Sequence, residues 1–204
     1  TLETLHHTVE RRPISDNRIL ADVPTAIEEA MEFRHWGGGT IVDVTNIGLR
    51  RDPMALLKVS NSTGLNVVMG AGWYQDFYHP ADMSERTVDD LADEIVRDIT
   101  VGVGQTGVRS GIIGEVGIHG NPLKPNEIKS IQASGRASLA TGAAISFHGG
   151  GHERERLEVV NILGEEGVDP SRVVFGHSDM IAGDMPLMLD LLERGVYIQF
   201  DYLG

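Results

Sequence analysis

The chain has 204 residues, 41% of them apolar, with thirty acidic against seventeen basic side chains and a net charge of -13. Such a chain can bury one sizeable core, and its acidic balance opposes phosphate-backbone binding, which depends on clustered Lys and Arg, so nucleic acid is not an expected partner. With no cysteine, a disulfide framework, a thiolate zinc site and a cysteine nucleophile are all excluded, and any metal must be held by His, Asp or Glu.

Six apolar or β-branched runs of strand length recur along the chain, with helical spacing between them. The first is 40–44 (TIVDV), followed by a helical stretch at 53–60 and then by 65–69 (LNVVM). Thr87 with Asp90 resembles a capping box and opens a helix over 87–99. The third run is 111–116 (GIIGEV), after which Pro125 suits the start of a helix reaching residue 140. Next come 144–148 (AISFH), a helix over 153–164, 172–176 (RVVFG), a helix over 185–194 and 196–201 (VYIQFD). Gly142, Gly167 and Gly195 stand where helices should stop, while Gly135 is a mild defect inside one. Strands that alternate with helices imply a parallel sheet, either open and doubly wound or closed into a barrel. No linker divides the chain, so a single domain over 1–204 is expected. No apolar run approaches the ~18 residues of a membrane span and no secretory signal is visible, so no membrane is expected and the expected compartment is the cytoplasm.

Residues 102–107 (GVGQTG) match the G-x-G-x-x-G spacing of dinucleotide sites, but a helix precedes them and a strand follows. That order reverses the strand-then-helix context a pyrophosphate needs, and the segment reads as a loop. Glu115, His148 and His177 are more informative. Each stands at the C-terminal end of one of three successive strands, where a parallel barrel gathers its active site, and a carboxylate with two imidazoles can share a metal centre. The other histidines are weaker candidates. His6 and His7 are adjacent on a polar segment, His35 ends a helix, and His79 precedes Pro80 in a loop. His119 and His152 follow strand ends, the latter beside Gly149, Gly150 and Gly151.

On these residues the chain resembles the phosphotriesterase-related family of the amidohydrolase superfamily. The similarity runs nearly end to end, from TIVDVTNIGLRRDP through GIIGEVG and TGAAISFH to GVYIQFDYLG, and VDPSRVVFGHSD is its most specific part. The resemblance implies a (β/α)8 TIM barrel of which this chain holds strands two to seven. It also implies two divalent metal ions, commonly zinc, with Glu115 as the catalytic bridging ligand and His148 and His177 on the second metal. Many relatives carry a carboxylated lysine where this chain has Glu115. Tyr74 in GAGWY matches a position lining the family's pocket, with Trp73 as its neighbour, so both are candidate substrate contacts. Asp179 and Asp201 face the mouth by position and could equally be helix caps.

The first-strand His-x-His pair and the eighth-strand aspartate of the family have no counterpart here, so a fragment is expected that is inactive by itself. The expected partner is a small-molecule substrate of ester, lactone, amide or phosphoester type, with a homodimer left open. Two other functions compete. One is a metal-dependent nuclease of the deoxyribonuclease-like branch, which the acidic charge opposes; the other is a barrel that binds without catalysis.

Overall fold

The computed structural model describes residues 22–149 and 154–201. His6, His7 and His152, with Gly150 and Gly151, lie outside those residues. Among the described residues six α-helices and six strands alternate: α1 (Val23–His35), β1 (Thr40–Asp43), α2 (Pro53–Thr63), β2 (Asn66–Ala71), α3 (Val88–Thr100), β3 (Ile112–Gly117), α4 (Pro125–Thr141), β4 (Ile145–His148), α5 (Glu155–Glu166), β5 (Val173–Phe175), α6 (Met185–Glu193) and β6 (Tyr197–Ile198). The strands form one sheet in the order of the sequence, every neighbouring pair parallel. A doubly wound sheet reverses its order at a switch point. This one advances in a single direction and curls into part of a (β/α) barrel wall, which decides between the two architectures the alternation allowed.

Local chemistry sets the helix ends. Asp52 accepts from Met54 N and Ala55 N ahead of Pro53, and Asp184 accepts from Leu187 N one residue before α6, so an acidic cap with a first-turn proline recurs. The Thr87/Asp90 capping box is present in both directions. Gly64, Gly142 and Gly167 end their helices in the left-handed region, where glycine carries no Cβ penalty. Gly135, a defect by propensity, is buried where α4 meets α5; a Cβ there would come within 3.1 Å of Leu163 and 3.3 Å of Val168. Close helix approach is what the glycine supplies. The 102–107 segment is a turn joining α3 to β3, closed by Val103 N to Val108 O and Thr106 N to Val103 O.

Packing is densest at the middle of the sheet. Ile113, Val116, Ile145, Phe147 and Phe175 are fully buried, and the Phe147 and Phe175 rings lie 5.4 Å apart. Each such side chain contributes about 1.5–3 kcal/mol by leaving water. The run 196–201, expected as a full strand, pairs only at Tyr197 and Ile198. Beyond them the backbone turns to other partners: Gln199 N donates to Phe175 O, and Gln199 O accepts from Ser178 N. A buried ion pair ties the turn after β1 to the end of α3, with Arg51 bonding Asp98 at 2.7 Å and donating to the Gly70 carbonyl. No helix among the described residues is long and apolar enough to cross a membrane.

Candidate metal centre

Three neighbouring strands deliver one charged or titratable side chain each to the same end of the sheet. Glu115 belongs to β3, His148 closes β4, and His177 follows β5. Parallel register brings them level: Gly117 pairs with His148, and Phe147 with Phe175. The Glu115 peptide is held on both sides by the segment after β1, its N–H donating to Val44 O at 2.8 Å and its carbonyl accepting from the buried Asn46 amide. Gly114, at φ 129°, lies so close to β4 that a Cβ would strike the Ser146 carbonyl. Glycine there lets β3 approach β4 closely just before Glu115.

The three side chains converge on one point. Glu115 Oε2 is 3.1 Å from His148 Nδ1, Glu115 Oε1 is 3.5 Å from His177 Nε2, and the two imidazole nitrogens are 3.1 Å apart. The potential ligand atoms lie within 4.8 Å of one another. A carboxylate and two imidazoles are a donor set that could hold a divalent metal ion.

Each histidine is also engaged on its outer nitrogen. The Tyr74 hydroxyl sits 3.0 Å from His148 Nε2, its ring edge-on to the imidazole at 4.8 Å. His177 Nδ1 donates to Asp201 Oδ1 at 2.9 Å. Burial by itself would raise the Glu115 carboxyl, but hydrogen bonds and charge from His148 and His177 outweigh it and hold the group at about 2. The hydrogen bond to Glu115 drives His177 the other way, up to about 9, against burial and with help from Asp201. Without a cation the cluster therefore keeps a proton that a metal would have to displace.

The structure brings Glu115, His148, His177 and Tyr74 together and leaves Trp73 apart. Trp73 is wholly buried in the core, with the Arg86 guanidinium 5.6 Å from its ring. His79 Nε2 donates to the Tyr74 carbonyl at 2.7 Å, bracing that loop, and His35 packs edge-on against Trp36. His119 is exposed, while its N–H and those of Gly120 and Lys124 donate to the buried Glu127 carboxylate, which shapes the loop after β3. Two buried residues next to the ligands carry no sequence signal for that role: Asn46, and Arg156, which donates to the His177 carbonyl at 3.4 Å. The alternation ERER around Arg156 looks like a solvated helix face.

A one-way parallel barrel wall with a carboxylate and two imidazoles gathered at its strand ends defines a barrel with a candidate metal-binding cluster at its C-terminal mouth. The chain belongs to the phosphotriesterase family, whose sequence profile matches residues 4–204. It is 40% identical over 188 residues to an N-acetyltaurine hydrolase of Dictyostelium discoideum, covering 92% of this chain and 50% of that protein. It is 37% identical to a phosphotriesterase-related protein of Nematostella vectensis over the whole of this chain and 59% of the relative. Among solved structures, a phosphotriesterase homology protein from Escherichia coli, complexed with phosphate in its active site, superposes with a TM-score of 0.86 at 33% identity. That match covers 91% of this chain and 63% of the other. The chain thus spans half to three-fifths of the length of the curated relatives compared.

Proposed function

We propose that the protein is a metal-dependent hydrolase in which Glu115 bridges two divalent cations, zinc being the ion its ligands suit, and His148 and His177 bind one of them. The observation that carries this reading is the convergence of those three side chains from consecutive strand ends. When bound, such cations polarise a carbonyl or phosphoryl oxygen and make a water acidic enough to attack near neutral pH. Glu115 supplies two anionic oxygens as it stands, so no carbon dioxide adduct is needed to build the bridge. Tyr74 stands beside His148, where its hydroxyl can meet a substrate oxygen, and this supports its role as a substrate contact. For the substrate, the name of the Dictyostelium relative favours an N-acyl amide within the broader class of esters, lactones, amides and phosphoesters.

Glu115→Gln tests the bridge because it keeps the shape and removes the charge that would hold two cations together. Metal content is expected to fall below two per chain, and turnover in an amide and ester screen to fall by at least ~100-fold, within the range for loss of a positioned electrostatic group. Two tightly held metals and full turnover in the variant would exclude a bridging Glu115.

A further inference from the structure

The two imidazoles of the cluster present different nitrogens to Glu115, Nδ1 from His148 and Nε2 from His177. A histidine can ligate only through a nitrogen that carries no proton, and the hydrogen bond made by its other nitrogen decides which one that is. On the metal-centre reading above, we propose that Asp201 is the positioning residue for His177. Its carboxylate accepts a hydrogen bond from Nδ1–H, which keeps the proton there, commits the ring to ligation through Nε2 and fixes its direction toward Glu115.

The geometry is that of a two-point grip. Asp201 Oδ1 accepts from the imidazole Nδ1 at 2.9 Å, and Oδ2 accepts from the backbone N–H of the same residue at 3.2 Å. Side chain and main chain of His177 are thereby fixed by one carboxylate. The second contact matters because His177 sits at φ 51°, a left-handed conformation uncommon for a residue with a Cβ, and its N–H needs a partner there. Asp201 is itself held, its N–H donating to Asp179 Oδ2 at 2.9 Å. It is also set in register by the preceding strand, where Ile198 pairs with Phe175 and Gln199 N donates to the Phe175 carbonyl at 2.8 Å. Ligand and holder therefore come from adjacent strands. Among the described residues, charged groups that face His177 include Glu115 in front, Asp201 behind and Arg156 from α5 at its carbonyl.

The test compares wild type, Asp201→Ala and Asp201→Asn. Zinc affinity is measured by chelator competition, and the His177 tautomer is read from imidazole 15N shifts of the metal-free protein once a pH titration of those shifts has reached the neutral ring. Wild type is expected to hold the proton on Nδ1. Asp201→Ala is expected to lose that preference and to bind zinc roughly 10- to 100-fold more weakly, the usual loss when an outer partner of a ligand is removed. Asp201→Asn keeps an acceptor oxygen and should restore the tautomer with part of the affinity. An unchanged tautomer in Asp201→Ala overturns the proposal, whether or not affinity falls, because a general loss of charge or fold would not act through the ring proton. A wild-type chain that binds no zinc would instead sink the metal-centre reading, while the tautomer still judges Asp201 independently.

Discussion

The middle and the edges of the sheet are built from similar residues and behave differently. In β3, β4 and β5 the apolar side chains Ile113, Val116, Ile145, Phe147 and Phe175 are sealed from water, whereas Val42 on β1 is 52% exposed and Tyr197 on β6 is 61% exposed. All three ligand candidates sit on or just beyond the middle strands. The difference teaches that the site is placed where packing over-determines the backbone. Ligand atoms must be held to within a fraction of an ångström, and a strand clamped on both sides holds its end residue better than one clamped on a single side. Asp201 marks the transition: it lies past the short β6, and it needs Asp179 to hold it.

The most severe way to break that comparison is to hollow the middle. Phe147→Ala removes a ring that packs on Phe175 one residue before His148, and should destabilise the protein by about 3–5 kcal/mol, the range for a large-to-small change in a core that cannot collapse. Denaturant unfolding measures this. Zinc affinity should fall with it, because His148 is anchored by the strand that loosens; a stable variant with intact affinity would show that the ligands are positioned without the core.

A smaller effect concerns the proton on His177. Its folded pKa of about 9 exceeds the ordinary histidine value of 6.5, so the imidazolium's pairing with Glu115 and Asp201 stabilises the metal-free fold fully below pH 6.5. That contribution is lost as pH rises through about 9. Ligation needs the neutral ring, so between these values each zinc bound should release a proton from His177, and apparent affinity should rise by up to ~10-fold per pH unit before levelling off near 9. Glu115, ionised above about 2, adds no proton of its own. Calorimetric titrations in buffers of different ionisation enthalpy count the proton; affinity flat between pH 7 and 9 would contradict the pairing.

Much of this was legible in the residues, and the limits have physical reasons. Each of the six strand runs contributes a strand because a buried parallel strand reads as a continuous apolar stretch, and the ligand candidates were visible as polar residues closing three such stretches. Strand order was not legible from periodicity, which is local while barrel closure is not; the family resemblance supplied it, and the sheet runs in that order. The 196–201 run overstated β6, which among the described residues pairs only at Tyr197 and Ile198, because apolar content does not reveal where pairing stops. Arg51 and Arg156 were invisible as buried residues: beside Arg50 or within ERER they look like solvated charge, and only the fold shows Arg51 on Asp98. The grip of Asp201 on His177 spans a chain separation that no local pattern encodes. Trp73 shows the converse, a residue chosen by adjacency to Tyr74 that the loop after β2 turns into the core.

The finest comparison sets two conservative changes against each other. Thr87→Ala removes an exposed hydroxyl at the start of α3, yet that hydroxyl accepts from Asp90 N at 3.1 Å and satisfies a donor that the helix cannot. The loss should be about 1 kcal/mol, since the Asp90 half of the box, accepting from Thr87 N at 2.9 Å, survives the change. Tyr197→Ser removes far more apolar surface from β6, but most of it already faces water, and replacements at such positions stay within about 0.5 kcal/mol. The smaller side chain is thus expected to matter more than the larger one, because it makes a capping hydrogen bond whereas most of the Tyr197 side chain already faces water. Chemical denaturation of the two variants side by side ranks them. If Tyr197→Ser proves the costlier, the β6 edge is covered in solution, and the contrast between middle and edge belongs to the isolated chain alone.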